Sequence, residues 1–251
     1  MHSVKPLKTK SRQLAKKALE IIVKNGEFAK KEQLPCCHDT GVAVVLLECG
    51  QEVAWEGMPL EDAVNEGVRR GYTNGYLRKS VVADPLNREN TNDNTPAMLH
   101  VEIVPGDQVK VTVMPKGGGS ENMGAFKVLL PGEGKEGVKQ FLLETVAKVG
   151  GNPCPPYIIG IGIGGTMDTC AWMAKKALLR PIGEHNPNPY YAELEKEFLE
   201  AVNKSGVGPI GMGGTVTALD VHIDYHGVHI TALPVAINFQ CNAARQASEV
   251  I

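Results

Sequence analysis

The six cysteines, at positions 36, 37, 49, 154, 170 and 241, are the residues with the most chemistry to offer. They form no Cys-x-x-Cys pair, so a zinc ribbon or finger is disfavoured, and bacterial ferredoxin spacing is absent too. Cys49 falls in an apolar strand pattern and Cys170 in a helical one, which makes both small buried hydrophobes. Cys37 (in LPCCHDTG), Cys154 (in NPCPPY) and Cys241 (in NFQCNAAR) each fall where a strand pattern meets a loop. Thiolates from such distant loops can hold an iron–sulfur cluster with one iron left open, or a zinc ion. Unrelated buried thiols fit the spacing equally well.

Glycine clusters are the second candidate. They occur in MPKGGGSEN at 114–122, GIGIGG at 160–165 and GPIGMGG at 208–214. Successive glycines let several backbone N–H groups converge on one phosphate or carboxylate, but tight turns need them as well. Lys116 precedes its glycines, so the P-loop order is not met, and GIGIGG lacks dinucleotide spacing.

Several elements must position these groups. Helical spacing of Leu14, Ala18, Leu19, Ile22 and Val23 predicts a helix over 11–31 with that face inward. A buried strand is predicted at 42–49 and a helix at 59–72, opened by Pro59. Alternation around Pro105-Gly106-Asp107 predicts a hairpin of 99–104 with 108–114. Further helices are expected at 137–149, 168–179 and 189–204, a buried strand at 157–165, and a second hairpin over 216–237. The pattern is mixed α/β, α+β-like, with mixed or antiparallel sheets surrounded by helices. It reads as one domain over 1–251, with a weak lobe boundary near 131–134. No heptads or longer repeats are apparent.

Composition excludes other classes. The chain has 251 residues, a net charge of −2 and 5 % aromatics, which argues against nucleic acid or a polybasic membrane contact. No apolar run is long enough for a membrane span, and the basic N-terminus lacks a secretory core. A cytoplasmic, reducing setting is expected, with thiols free, metal-bound or catalytic.

Five segments, 34–41, 77–96, 116–122, 154–165 and 229–245, together resemble the iron–sulfur hydro-lyases, that is, class I fumarate hydratases and L(+)-tartrate dehydratases. The likeness covers nearly the whole chain and is to the α subunit, the counterpart of the N-terminal domain of the single-chain enzymes. It implies that Cys37, Cys154 and Cys241 bind a [4Fe–4S] cluster whose open iron takes the substrate. It implies acid–base work for Asp39 and carboxylate binding by Arg78 and by the Gly117-Gly118-Gly119 loop. His229, twelve residues before Cys241, would also contact substrate, whereas His222 and His226 read as strand histidines satisfied by neighbours.

Position 38 departs from the family: His38 stands where Gln is usual, in the substrate-binding loop, and His titrates near neutrality. The helical region before residue 11 looks short for the family. The chain also stops soon after Cys241, so the resemblance implies a separate β subunit in an αβ or (αβ)2 assembly. The expected reaction is reversible hydration of a C4 dicarboxylate, fumarate to (S)-malate first and L-tartrate dehydration next. A non-catalytic cluster- or dicarboxylate-binding protein and a zinc protein are the rivals.

Overall fold

A computed structural model describes residues 9–251, with side chains from residue 12. The expected shortening before residue 11 lies almost wholly outside the described residues. In chain order the elements are α1 (Thr9–Glu32), β1 (Val42–Gly50), α2 (Leu60–Asn74), β2 (Met98–Val104), β3 (Val109–Lys116), and the single turn α3 (Gly118–Glu121). Then come β4 (Ala125–Leu129), α4 (Gly134–Val149), β5 (Tyr157–Ile163), α5 (Met167–Lys176), α6 (Pro189–Asn203), β6 (Ala218–Tyr225), β7 (Leu233–Gln240) and β8 (Ala247–Val250). The mixed α/β reading holds. No described helix is long and apolar enough to cross a membrane.

The chain divides into two compact units, one of Met1–Phe28 with Gly119–Ala243 and one of Ala29–Gly118 with Ala244–Ile251. The division does not fall at 131–134. Those residues are a 3-10 turn (Pro131–Glu133) leading into α4, inside the first unit.

Each unit carries a four-stranded sheet, and the two share one topology. The orders are β2-β1-β3-β8 and β6-β5-β7-β4. In both, the central strand runs parallel to the next strand in sequence and antiparallel to the one after it. In both, an edge strand is added antiparallel on the far side. The two expected hairpins are therefore corrected: β2 and β3 are separated by β1, and β6 and β7 by β5.

The reason is visible at the strand ends. The chain beyond β1 inserts into the link between its flanking strands, with Gly50 N–H donating to Gln108 O (2.8 Å) and Gln51 N–H to Val104 O (2.8 Å). In the other unit Gly164 N–H donates to Pro234 O (3.0 Å) and Gly165 N–H to Gly227 O (3.1 Å). A Cβ at Gly50 would lie 2.3 Å from Gly106 O, and one at Gly164 would lie 2.1 Å from His226 O. Only glycine lets the link pass over the end of the central strand.

The core of the first unit packs α4 and α6, through Leu142, Val146, Leu194 and Phe198, against Ile159, Ile161, Val221, Ile223 and Phe239 of the sheet. On the other face α5 lies directly on β5. Cβ atoms at Gly160 and Gly162 would come within 2.0 Å of Ala174 O and 2.1 Å of Cys170 O. The glycines of GIGIG thus serve close helix–strand approach, not anion binding. In the second unit α2 lays Val68 and Tyr72 on Ala43, Val45 and Leu47.

Candidate functional site

The loop 36–41, which enters β1, is braced from several sides within the second unit. Thr40 Oγ1 donates to Arg78 O (3.0 Å), and the Tyr72 hydroxyl donates to Thr40 O (2.7 Å). Asn94, fully buried, donates from Nδ2 to Gly41 O (3.1 Å) and accepts from Ser80 N–H (2.6 Å). Burial pushes the Tyr72 phenol up to about 12, so this hydroxyl stays a donor at any physiological pH. Gly41 has φ +67°, and a Cβ there would lie 2.4 Å from the Lys116 carbonyl carbon and oxygen. The Thr-Gly of the motif is therefore set by the neighbouring strand end.

Asp39 uses both carboxylate oxygens. Oδ1 accepts from Gly41 N–H (3.1 Å) and Oδ2 from Gly118 N–H (3.2 Å). The Gly118 N–H expected to meet a substrate carboxylate thus meets the protein's own carboxylate. Gly117 stays bare beside it, since a Cβ there would come within 3.2 Å of Asp39 Oδ2. His38 and Arg78 are exposed and Asp39 is partly buried. The unit therefore brings Asp39 to Gly117 and Gly118, and Arg78's main chain to Thr40. Cys37 and His38 belong to the same braced loop.

Arg245 is a residue the sequence reading did not single out. Its guanidinium donates from Nη1 to Cys37 O (3.3 Å) and from Nη2 to Asp39 O (2.8 Å), clamping the main chain on both sides of His38. The signal for it was a lone Arg beside a candidate ligand cysteine, which has no distinguishing periodicity. Lys116, first residue of the KGGG motif, is fully buried, although the sequence suggested only a flanking charge.

In the first unit the loops that carry two of the candidate cysteines are joined. Cys154 precedes β5 and Cys241 follows β7, the neighbouring antiparallel strand. Asn242 donates from its backbone N–H (3.2 Å) and its Nδ2 (2.7 Å) to Cys154 O, which joins the two loops. Cys154 is exposed and has φ +55°, a left-handed backbone rare for a side-chain-bearing residue, while Cys241 is half-buried. Gly119 also lies in this unit, its Cβ position 3.6 Å from Asn152 O.

Cys37 stands at the matching place in the other unit, before the central strand. Among the described residues no three His, Cys, Asp or Glu side chains are gathered as a single metal ion requires. The donor chemistry, soft sulfurs at strand–loop junctions, suits an iron–sulfur cluster. Cys49 and Cys170 are buried, as expected for small core residues. Burial pushes the Cys170 thiol up to about 11 and its Sγ meets Gly162 O at 3.2 Å.

His229 lies elsewhere. It belongs to the loop entering β7, whereas Cys241 leaves the other end of that eight-residue strand. At about 3.4 Å per residue the two are separated by roughly 24 Å of strand. Its Nδ1 lies 2.9 Å from Thr231 Oγ1, beside a cavity of about 310 Å3 shared with Tyr190, Tyr191 and Lys135. The unit does not bring His229 to the Cys154–Cys241 corner. The strand histidine His222 has its neighbours, Ala177 O (3.0 Å from Nδ1) and Asp220 Oδ2 (3.2 Å from Nε2).

Comparison with known proteins bears on what these loops serve. A protein of Methanocaldococcus jannaschii, provisionally named L(+)-tartrate dehydratase subunit alpha, is 44 % identical over 246 residues, covering 96 % of this chain and 86 % of the relative. An Escherichia coli protein named L(+)-tartrate dehydratase subunit alpha is 34 % identical over 215 residues, covering 84 % and 71 %. A Shigella boydii protein of the same name is 34 % identical over 220 residues, covering 86 % and 72 %. The family profile described as fumarate hydratase (Fumerase) matches residues 3–250, a span that takes in both sheets and every loop described above, so the chain belongs to the fumarate hydratase family of hydro-lyases.

Proposed function

We propose that this chain is the cluster-bearing α subunit of a hydro-lyase that adds water to, and removes it from, a C4 dicarboxylate. Fumarate and (S)-malate are the first pair. L(+)-tartrate dehydration is the second reading, favoured by the names of the relatives. The observation that carries the proposal is the braced loop 36–41. It offers a thiol at Cys37 and a carboxylate at Asp39 oriented by two backbone N–H groups, in a family of hydro-lyases.

Cys37, Cys154 and Cys241 would hold a [4Fe–4S] cluster. When bound, it supplies a Lewis acid that polarises the substrate's carboxylate and hydroxyl. The chain's own groups do the rest. Arg78, exposed next to the Thr40 anchor, grips a substrate carboxylate through paired N–H bonds. Asp39 Oδ2 exchanges its Gly118 partner for the moving proton, or orients the group that carries it. His38 adds a donor at the loop's exposed edge, Gly117 leaves room beside Asp39 Oδ2, and Gly119 offers a bare exposed backbone. His229 binds substrate only if another chain's site reaches its end of β7.

A separate β subunit completes the site in an αβ or (αβ)2 assembly, and a cytoplasmic setting keeps the thiols reduced. The test is anaerobic co-expression of both subunits and a screen of fumarate, (S)-malate, L-tartrate and mesaconate-type acids by alkene absorbance. Turnover by the pair and little by the chain alone is expected. Full activity of the isolated chain, or none from an iron-loaded pair on any of these acids, would overturn the proposal.

A further inference from the structure

Asp39 and Arg78 belong to loops far apart in sequence, and one buried side chain ties those loops together. Thr40, only 3 % exposed, donates its hydroxyl to Arg78 O at 3.0 Å, across 38 positions of chain. The two ends of this bond are held very differently. Without the Thr40 hydroxyl, the loop 36–41 still has Arg245 on Cys37 O and Asp39 O, and Gly118 N–H on Asp39 Oδ2. It also keeps the Tyr72 hydroxyl on Thr40 O and Asn94 Nδ2 on Gly41 O.

Arg78 has no such support. It follows α2 in a stretch, 77–80, that is neither helix nor strand. Its neighbours are anchored: Leu77 N–H donates to Tyr72 O (2.9 Å), Lys79 O accepts from Asn90 Nδ2 (3.2 Å), and Ser80 N–H donates to Asn94 Oδ1 (2.6 Å). Among the described residues, the bond from Thr40 is the one hydrogen bond that Arg78 itself makes. An exposed arginine has a long, freely rotating side chain, so where its guanidinium can reach depends on how firmly its main chain is held. Threonine suits the tether, because a β-branched side chain that is also buried keeps its hydroxyl in one direction.

We propose that Thr40 is a positioning residue for substrate binding: its hydroxyl holds the main chain of Arg78 in register with Asp39, so that a dicarboxylate gripped by Arg78 is presented to the Asp39 carboxylate. The inference rests on the substrate roles proposed for Arg78 and Asp39. The uneven anchoring sets the direction of the effect. Removing the hydroxyl leaves the Asp39 loop on its other ties and frees Arg78. The loss then falls on binding that the ground state and the transition state share, which raises KM and spares kcat.

The experiment compares wild type, T40V, T40S, R78A and the T40V/R78A double variant in the assembled, iron-loaded two-subunit enzyme. Steady-state kinetics are measured on (S)-malate and L-tartrate, alongside iron content and circular dichroism. T40V keeps the side-chain shape without the donor and should raise KM about 3- to 10-fold with kcat nearly unchanged. T40S restores the donor and should return KM close to wild type. R78A should raise KM further, by about 100-fold, and adding T40V to it should change nothing more. A wild-type KM in T40V, or an equal T40V effect with and without Arg78, would overturn this inference and leave the Arg78 reading standing. So would a T40V loss confined to kcat, which places the effect on Asp39, or a loss of iron or fold that T40S shares, which makes Thr40 merely structural. A wild-type KM in R78A would overturn the Arg78 reading and this inference with it.

Discussion

At Asp39 the carboxylate is fixed by two backbone N–H groups before any substrate arrives. Asp39→Asn keeps the shape but leaves one acceptor for two backbone N–H groups and cannot take up a proton, so turnover of the assembled enzyme should fall by about 10²- to 10⁴-fold. An unchanged kcat would remove Asp39 from proton transfer. Arg245→Gln removes the clamp on Cys37 and Asp39, and iron measured after a chelator challenge should be lost faster than from wild type. Arg245→Lys should fall between them, because an ammonium cannot fork to both carbonyls. A third residue contributes to acid stability. The Thr95 backbone N–H and hydroxyl, with Arg69, hold the Asp93 carboxyl down at about 2. A folded value below the ordinary 3.8 contributes stability that is present above about pH 4 and lost as pH falls through 2. The stability gap between wild type and Asp93→Asn in urea titrations should therefore be constant near neutrality and close between about pH 4 and 2. At this scale a motif could single out Cys37 and Asp39, which the structure holds in one braced loop. The sequence was not legible for Arg245, Lys116 and Asn94, whose roles depend on which distant main-chain groups they meet.

The helices and strands themselves were largely readable, because periodicity and β-branched runs report local burial. Their pairing was not. The Pro105-Gly106-Asp107 and His226-Gly227 turns look like hairpin turns, but the deciding residues are Gly50 and Gly164, which admit a third strand between the two arms. The same reasoning separates glycines that look alike in sequence. Gly162→Ala would drive a methyl to 2.1 Å from Cys170 O and should destabilise the chain by about 1–3 kcal/mol or more. Gly67→Ala in α2 meets nothing within 4 Å and should stabilise by about 0.4–1 kcal/mol. Thermal melts of the two variants should shift in opposite directions, and a common sign would contradict the packing assigned to β5.

On the scale of the whole chain, one strand order used twice explains where the chemistry gathers. In each unit the loop entering the central strand and the loop leaving its antiparallel neighbour lie at the same end of the sheet. Those loops carry Cys37, Asp39 and Gly117 in one unit and Cys154 and Cys241 in the other. His229 falls at the opposite end of β7 from Cys241, so their nearness in sequence is not nearness within the unit. The central claim is that these cysteines leave one iron open for a diacid. Mössbauer spectra of the anaerobically reconstituted two-subunit enzyme, enriched in iron-57, test it with and without substrate. A single iron subsite should change on adding malate or tartrate, and a serine at 37, 154 or 241 should abolish the cluster spectrum. Spectra indifferent to every dicarboxylate, or intact in the serine variants, would contradict it.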